Sequence, residues 1–406
     1  MSRTIFHCGS DTQQTTRICL AVLTAACFST PTAMGGPLDQ WQGRHPLPTH
    51  ENLNAIAVGD GVIVVVGEVG TILVSNDETN WRKASVAAPL DSGEVPVPVG
   101  FADVAYGNGL FVAGTDRGAI FTSTDGESWR QEPWPSGVVS GVVNSITYGH
   151  DRFVVVGSFN HSSNFSVALS SANGTDWTLS RGGQAPHLNH PGKVIYGNGV
   201  FAAIGISGGL FRSTDGLGWE FSPEIAAGLP VSNGLSVSGH HFELRFIGGR
   251  FVVGYEPQKL LYSSADAQAW ESHPDGLPAG GMTEAFGGFY RVGNHATVRF
   301  SRNLADWQTV HTGSGNHYLR DYAVTQTGRI LAVGGSGAIL SSTDGANWVS
   351  LHHGPSANFS GLAFGHGRFV AIGGEPMILN IELSFPIRVL NSTPSGAWEL
   401  VSLPLK

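Results

Sequence analysis

The chain has 406 residues, of which 13% are charged and 41% apolar, with 56 glycines, 21 prolines and a formal net charge of −9. So few charges and so much glycine describe a turn-rich, all-β chain rather than a disordered or helical one. The negative balance, with four lysines among 22 basic residues, argues against a sequence-independent nucleic-acid binder, which needs a basic stripe for phosphates, and against docking on an anionic membrane.

Residues 1–33 read as a leader. Arg3 and Arg17 precede the apolar run Ile18 to Phe28, and small residues follow, as in a secretory signal peptide. The run is too short for a stable membrane span. Cleavage is expected after Ala26 or after Ala33. A lipid anchor at Cys27 is a further option, because Thr24-Ala-Ala-Cys27 is similar to a bacterial lipobox with Thr where an aliphatic residue is usual. A foreign upstream extension is the bland alternative. Cys8, Cys19 and Cys27 are the chain's three cysteines, so the mature protein is expected to have no disulfide and to be secreted or periplasmic, in the cell envelope.

Residues 34–51 form a short N-terminal segment. Within it Asp39-Gln-Trp41-Gln-Gly-Arg44-His-Pro46 has the look of a final strand without the strands before it, and is a candidate for closing a ring. It competes for that place with Trp398-Glu-Leu-Val-Ser near the other end of the chain.

From residue 52 to 406 one seven-residue pattern, S-x-[DN]-x-x-x-W, returns repeatedly. It pairs Asp77 with Trp81, Asp125 with Trp129, Asn173 with Trp177, Asp215 with Trp219, Asp266 with Trp270, Asn303 with Trp307 and Asp344 with Trp348, and a decayed copy ends at Trp398. The tryptophans follow one another at 48, 48, 42, 51, 37, 41 and 50 residues, a period of propellers and solenoids. The Asp or Asn side chain, helped by the Ser hydroxyl, locks a tight turn by accepting nearby backbone N–H groups. Gly126, Gly216 and Gly345 follow where the chain needs positive φ, and the Trp folds back under the turn. These residues are therefore read as structural and not catalytic.

The strands of each repeat are legible in the second one. Ala102 to Gly107 is a strand, Asn108-Gly109 a type I′ hairpin turn, Leu110 to Gly114 the next strand, Ala119 to Ser123 the third, and the strand from Trp129 the fourth. Four antiparallel strands make one blade. Eight copies predict an eight-bladed ring. Seven is the alternative, because the last copy has an insertion at 376–386 and Pro394 where the acidic residue should stand.

The pattern resembles the Asp-box, or BNR, repeat of sialidase-like β-propellers. Four copies with a longer upstream phrase, such as Gly114-Thr-Asp-Arg-Gly118-Ala-Ile-Phe-Thr-Ser-Thr-Asp125, are similar to repeats of the photosystem II stability and assembly factor family and of sortilin-type propellers. The resemblance implies a single propeller with its ligand face opposite the boxes. It says little about function, since a propeller is a scaffold for unrelated activities.

On that opposite face lie the connections of varied length, and length beyond a tight turn's need points to function. Candidate binding residues there are Trp134, His187, His190, His241, His311, His317, Arg245 and Arg320. Charges at the starts of the inner strands, Asp103, Lys193, Glu243, Glu284 and Asp321 among them, either sit at the channel mouth or pair between blades. Trp134 is either an exposed aromatic platform or a cap on its blade. The histidines lack metal-motif spacing, so no metal and no cofactor is expected.

A sialidase-like hydrolase would need an arginine triad for a carboxylate, a Tyr–Glu nucleophile pair and an Asp acid. Only Arg44-His45-Pro46 resembles the family's Arg-x-Pro element, with His in the middle, and no catalytic residue is assigned. The expected function is an exported, non-catalytic scaffold that binds a protein or glycan partner, with a sialidase-like exo-glycosidase as the alternative.

Overall fold

The computed structural model describes residues 42–44, 49, 51–77, 80–86, 99–134, 138–161, 166–182, 191–205, 208–222, 242–255, 260–273, 281–313, 317–325, 328–350, 358–365, 368–374, 377–382, 387–392 and 398–403. Apart from one 3-10 turn at Gly335–Gly337, every element in these residues is a β-strand. No described helix is long and apolar enough to cross a membrane.

The strands form antiparallel sheets of one plan, called blades below. In the second, Phe101–Gly107, Leu110–Thr115, Ile120–Ser123 and Ser128–Glu132 pair in sequence order. The hairpin between the first two strands has φ of 49° at Asn108 and 75° at Gly109, the two left-handed residues that a type I′ turn demands and that match the twist of the flanking strands. The inner strands of successive blades are Leu53–Gly59, Phe101–Gly107, Val138–Gly149, Pro191–Gly197, Phe242–Ile247, Met282–Ala285, Leu319–Val324 and Asn358–Gly365. The second strands, such as Val62–Gly67, Val200–Gly205 and Ile330–Gly334, read as near-continuous apolar runs because they are covered on both faces.

Apolar clusters join each blade to the next. Val64 and Val74 pack with Phe111 and Trp129, Ala105 and Val112 with Ile146 and Val155, and Val154 and Val156 with Phe201 and Phe211. Phe111, Phe201 and Phe211 are almost wholly buried, each worth about 1.5–3 kcal/mol of transfer free energy. A further cluster unites Val333 and Ile339, Leu362 and Val370, and Ile56 and Val65. The C-terminal sheet thus packs on the seventh blade on one side and the first on the other.

Outer edges are partly stitched as well. Ser85–Val86, leaving the first blade, runs parallel to Ser128–Glu132 of the second, and Thr178–Gly182 runs parallel to Gly218–Ser222 of the fourth. Such pairing uses the free edge N–H and C=O groups that would otherwise be a template for aggregation.

The C-terminal sheet departs from the expectation that two segments compete for its last place. It has six strands, ordered outward as Asn358–Gly365, Arg368–Gly374, Met377–Glu382, Ile387–Ser392, Trp398–Leu403 and Gln42–Arg44. The insertion holds the third strand, Ile387–Ser392 just past it is the fourth, Trp398–Leu403 is the fifth, and Gln42–Arg44 adds antiparallel to that one. The additional strand Ile387–Ser392 pairs with Trp398–Leu403, whose other edge takes Gln42–Arg44, so both segments find partners.

Candidate functional site

The recurring turns are held by local hydrogen bonds. In the second blade Asp125 Oδ1 accepts from the N–H groups of Glu127 and Ser128, each at 2.8 Å, while Ser123 Oγ donates to Asp125 Oδ1 and accepts from Gly126 N. Trp129 Nε1 donates to Gly126 O at 2.8 Å. The N–H acceptance recurs at Asn173, Asp215, Asp266, Asn303 and Asp344. In the first blade Asp77 accepts from Asn80 N at 2.7 Å. Backbone N–H bonds stabilise the charged form; at Asp344 those from Asn347 and Ala346 bring the carboxyl down to about 2.

Positive φ follows the box acid at Gly126, Gly216 and Gly345, and also at Ala267 and Leu304. A Cβ on Gly126 would meet Val64 of the first blade at 2.8 Å, and one on Gly345 would meet Tyr290 of the sixth at 1.9 Å. Each of these turns is thus seated on the blade before it. Trp129, Trp177 and Trp219 are buried, whereas Trp81, Trp270, Trp307 and Trp348 are partly covered.

At the other end of the inner strands, polar groups clasp one blade to the next. Asn54 Nδ2 donates to Phe101 O and Asn144 Nδ2 to Pro191 O, both at 2.9 Å. Asp103 Oδ2 accepts from Ile146 N at 2.8 Å, and Asp321 Oδ2 from Leu362 N at 2.9 Å. The two aspartates occupy the same register, just past a β-bulge, and the shared phrase Asp-x-Ala in Asp103-Val-Ala and Asp321-Tyr-Ala was a signal the sequence reading missed.

Arg245 Nη2 donates to the other oxygen of Asp321 at 3.1 Å, and its Nε to Glu243. The guanidinium also stacks 5.1 Å from the centre of the Tyr322 ring. It therefore reaches from the fifth blade to the seventh, past Gly281 of the sixth, where a Cβ would lie 2.7 Å from Tyr322. Glu243, Arg245, Val252, Met282 and Arg291 line a small pocket with room for little more than a water molecule.

Glu284 does not stand at the start of its strand. The sixth inner strand is short, Met282–Ala285, so Glu284 sits beside the hairpin, and its Oε2 would be 3.3 Å from a Cβ on Gly248. Lys193 lies on its inner strand, half-buried, in the register of Asp103.

The remaining candidates fall into different surroundings. Arg320 is exposed, stacks 4.9 Å from the centre of Tyr318 and donates to its hydroxyl, and Tyr318 in turn donates to Asn358 Oδ1. His311 is half-buried, its Nε2 without a partner among the described residues, and burial lowers its pKa, which favours neutral imidazole. His317 is half-buried, and its carbonyl accepts from Ala296 N at 2.8 Å. Trp134 is half-buried: its ring meets Phe159 edge-on at 6.0 Å and would touch a Cβ on Gly118 at 2.6 Å. His187, His190 and His241 lie outside the described residues. Among the described residues no three His, Cys, Asp or Glu side chains gather as a metal site.

Arg44 lies in a different sheet from the inner strands that carry Arg245 and Arg320. It belongs to the outermost strand of the C-terminal sheet, five strand spacings from the inner one, or roughly 24 Å at about 4.8 Å per spacing.

No protein-family model matches this chain, and no curated protein does. Solved structures do share its shape. A structure of YCF48 bound to D1 peptide has a TM-score of 0.51 at 16% identity, covering 92% of this chain and 99% of that one. YCF48 from Cyanidioschyzon merolae gives 0.51 at 13%, covering 90% and 98%, and the computationally designed protein Ika8 gives 0.59 at 11%, covering 90% and 100%. The fold is a β-propeller.

Proposed function

We propose that this chain is an eight-bladed β-propeller that acts as an exported, non-catalytic scaffold and holds a protein segment on the face opposite its S-x-[DN]-x-x-x-W turns. One observation carries the reading. Asp103 and Asp321, acidic groups at the mouth of the channel, accept backbone N–H groups of neighbouring blades, so they are engaged in holding the ring rather than free to move protons in a reaction. The cluster that joins the C-terminal sheet to the first blade supports the closed ring of eight. The loops of the opposite face differ from blade to blade, and the likeness to YCF48 bound to D1 peptide supports a peptide-like ligand over a glycan.

The test begins with random 12-residue peptides displayed on phage and selected on the folded protein. Amide exchange with a selected peptide bound should slow in Glu68–Thr71, Asp116–Gly118, Asn294–Thr297, Gly335–Ala338 or the inner-strand starts, and stay unchanged in the turns at Asp125 and Asp344. Protection confined to those turns, or cleavage of a fluorogenic sialoside by the purified protein, would overturn the reading.

A further inference from the structure

Among the described residues the third blade carries a feature that its neighbours do not share. Its inner strand, Val138–Gly149, and the next, Arg152–His161, are longer than their counterparts. The bulge registers align Val143 with Phe101 of the second blade and Pro191 of the fourth, so residues 138–142 run on past the points where the neighbouring inner strands begin. At about 3.3 Å per residue they rise about 16 Å. They form a two-stranded ribbon on the face opposite the turns, with Val138 paired to His161, Ser140 to Asn160, Gly141 to Phe159 and Val142 to Ser158.

Among the described residues the ribbon has one open edge. The inner strand is the terminal strand of its sheet, and lower down the same edge is closed by Asp103, which accepts from Ile146 N. Among the described residues nothing pairs with that edge at 138–142 beyond the ribbon's own second strand. Natural edge strands are usually blunted with charge or proline. Here the sequence is Val138-Val-Ser-Gly-Val142, without either, and Val142 is 36% exposed.

The ribbon is also buttressed. Trp134 stands edge-on to Phe159, and the same ring approaches Gly118 and Gly141 so closely that Cβ atoms there would lie 2.6 and 3.3 Å from its Cη2. Gly118 has φ of 87°. Two glycines and a tryptophan thus hold an open strand in place before any ligand arrives, which lowers the ordering cost of binding.

We propose that residues 138–142 bind an extended segment of a partner protein by adding it as a strand to the open edge. This rests on the binding-scaffold reading above. Main-chain hydrogen bonds supply the affinity in such pairing, and the uncharged edge selects a segment of similar, weakly charged, β-branched character. Glycans lack the regular ladder of N–H and C=O groups that this edge matches.

Selected phage-display peptides serve as the probe, and amide exchange of the full folded chain as the readout. With peptide bound, the amides of 138–142 should slow by at least tenfold while those of Phe101–Gly107 stay unchanged. Trp134→Ala should weaken binding by at least tenfold, with unfolding midpoints monitored to confirm a folded variant. If peptides bind but protect other loops of the same face, strand addition is wrong and the scaffold reading survives. Absence of any binding peptide would overturn both. Protection of 138–142 that grows with protein concentration alone would assign the edge to a second copy of this chain and overturn the partner.

Discussion

The ring of Tyr148 lies flat against the backbone of Gly107, so closely that a Cβ on that glycine would sit 2.1 Å from the tyrosine's Cγ. The same fit recurs between Tyr106 and Gly59, Tyr196 and Gly149, and Phe246 and Gly197. An aromatic ring of one inner strand thus rests on the closing glycine of the blade before it. Gly107→Ala is expected to cost about 3 kcal/mol, since the ring and two backbones must all shift. Gly109→Ala, with open space around it but φ of 75°, should cost about 1 kcal/mol from left-handed strain alone. Urea unfolding of both variants checks this, and equal costs would refute the packing account.

Within the turns, amide and carboxylate are exchanged without loss of their bond. Asn80 Nδ2 donates to Asp77 and Asn347 Nδ2 to Asp344, whereas in two other blades Asn173 donates to Asp176 and Asn303 to Asp306. Asn173→Asp sets two carboxylates against each other and should destabilise by about 1–2 kcal/mol. Adding Asp176→Asn restores the pair in reverse and should recover most of the loss. A double variant no better than the single one would show that the bond does not matter.

What the sequence disclosed follows from distance along the chain. The Ser, Asp, Gly and Trp of a turn lie within seven residues and bond to one another, so their roles could be read from residue chemistry. Tyr148 over Gly107, and Asp103 on Ile146 N, join residues about one repeat apart, and a local phrase such as Asp-x-Ala does not say which distant group it meets. The three-residue resemblance at Arg44 carries no information about its place in a sheet, which is the outermost strand of the C-terminal one. Trp134 was undecided from sequence because its burial depends on Phe159, in a strand that overruns its blade. Much of the variable face, including His187, His190 and His241, falls outside the described residues.

Acid should act on the turns. The folded carboxyl of Asp344 titrates near 2, held there chiefly by the N–H of Asn347, against an ordinary value of 3.8. A depressed pKa contributes stability that is complete above about pH 4 and is lost as pH falls towards 2. Asp344→Asn should therefore flatten the acid limb of stability in that window while changing little at pH 7. An unchanged limb between pH 4 and 2 would count against the hydrogen-bond assignment.

Export makes a separate prediction about mass. Motivated by the apolar run after Arg17 and the confinement of all three cysteines to residues 1–33, the protein recovered outside the cytoplasm is expected to begin between Cys27 and Met34 under the export proposal. A lipid-modified Cys27 would add acyl mass at that start. Intact-mass spectrometry that finds Met1 retained would contradict export by this leader.

The claim that a partner binds opposite the turns is tested most directly by photo-crosslinking from two positions on one blade. Arg117 is exposed in the loop between the second and third strands, and Thr124 is exposed in the turn at the other end of the third strand. With a benzoylphenylalanine replacing one or the other in the host cell, irradiation should join a discrete protein to position 117 and none to position 124. A crosslinked partner at 124 with none at 117 would contradict the account.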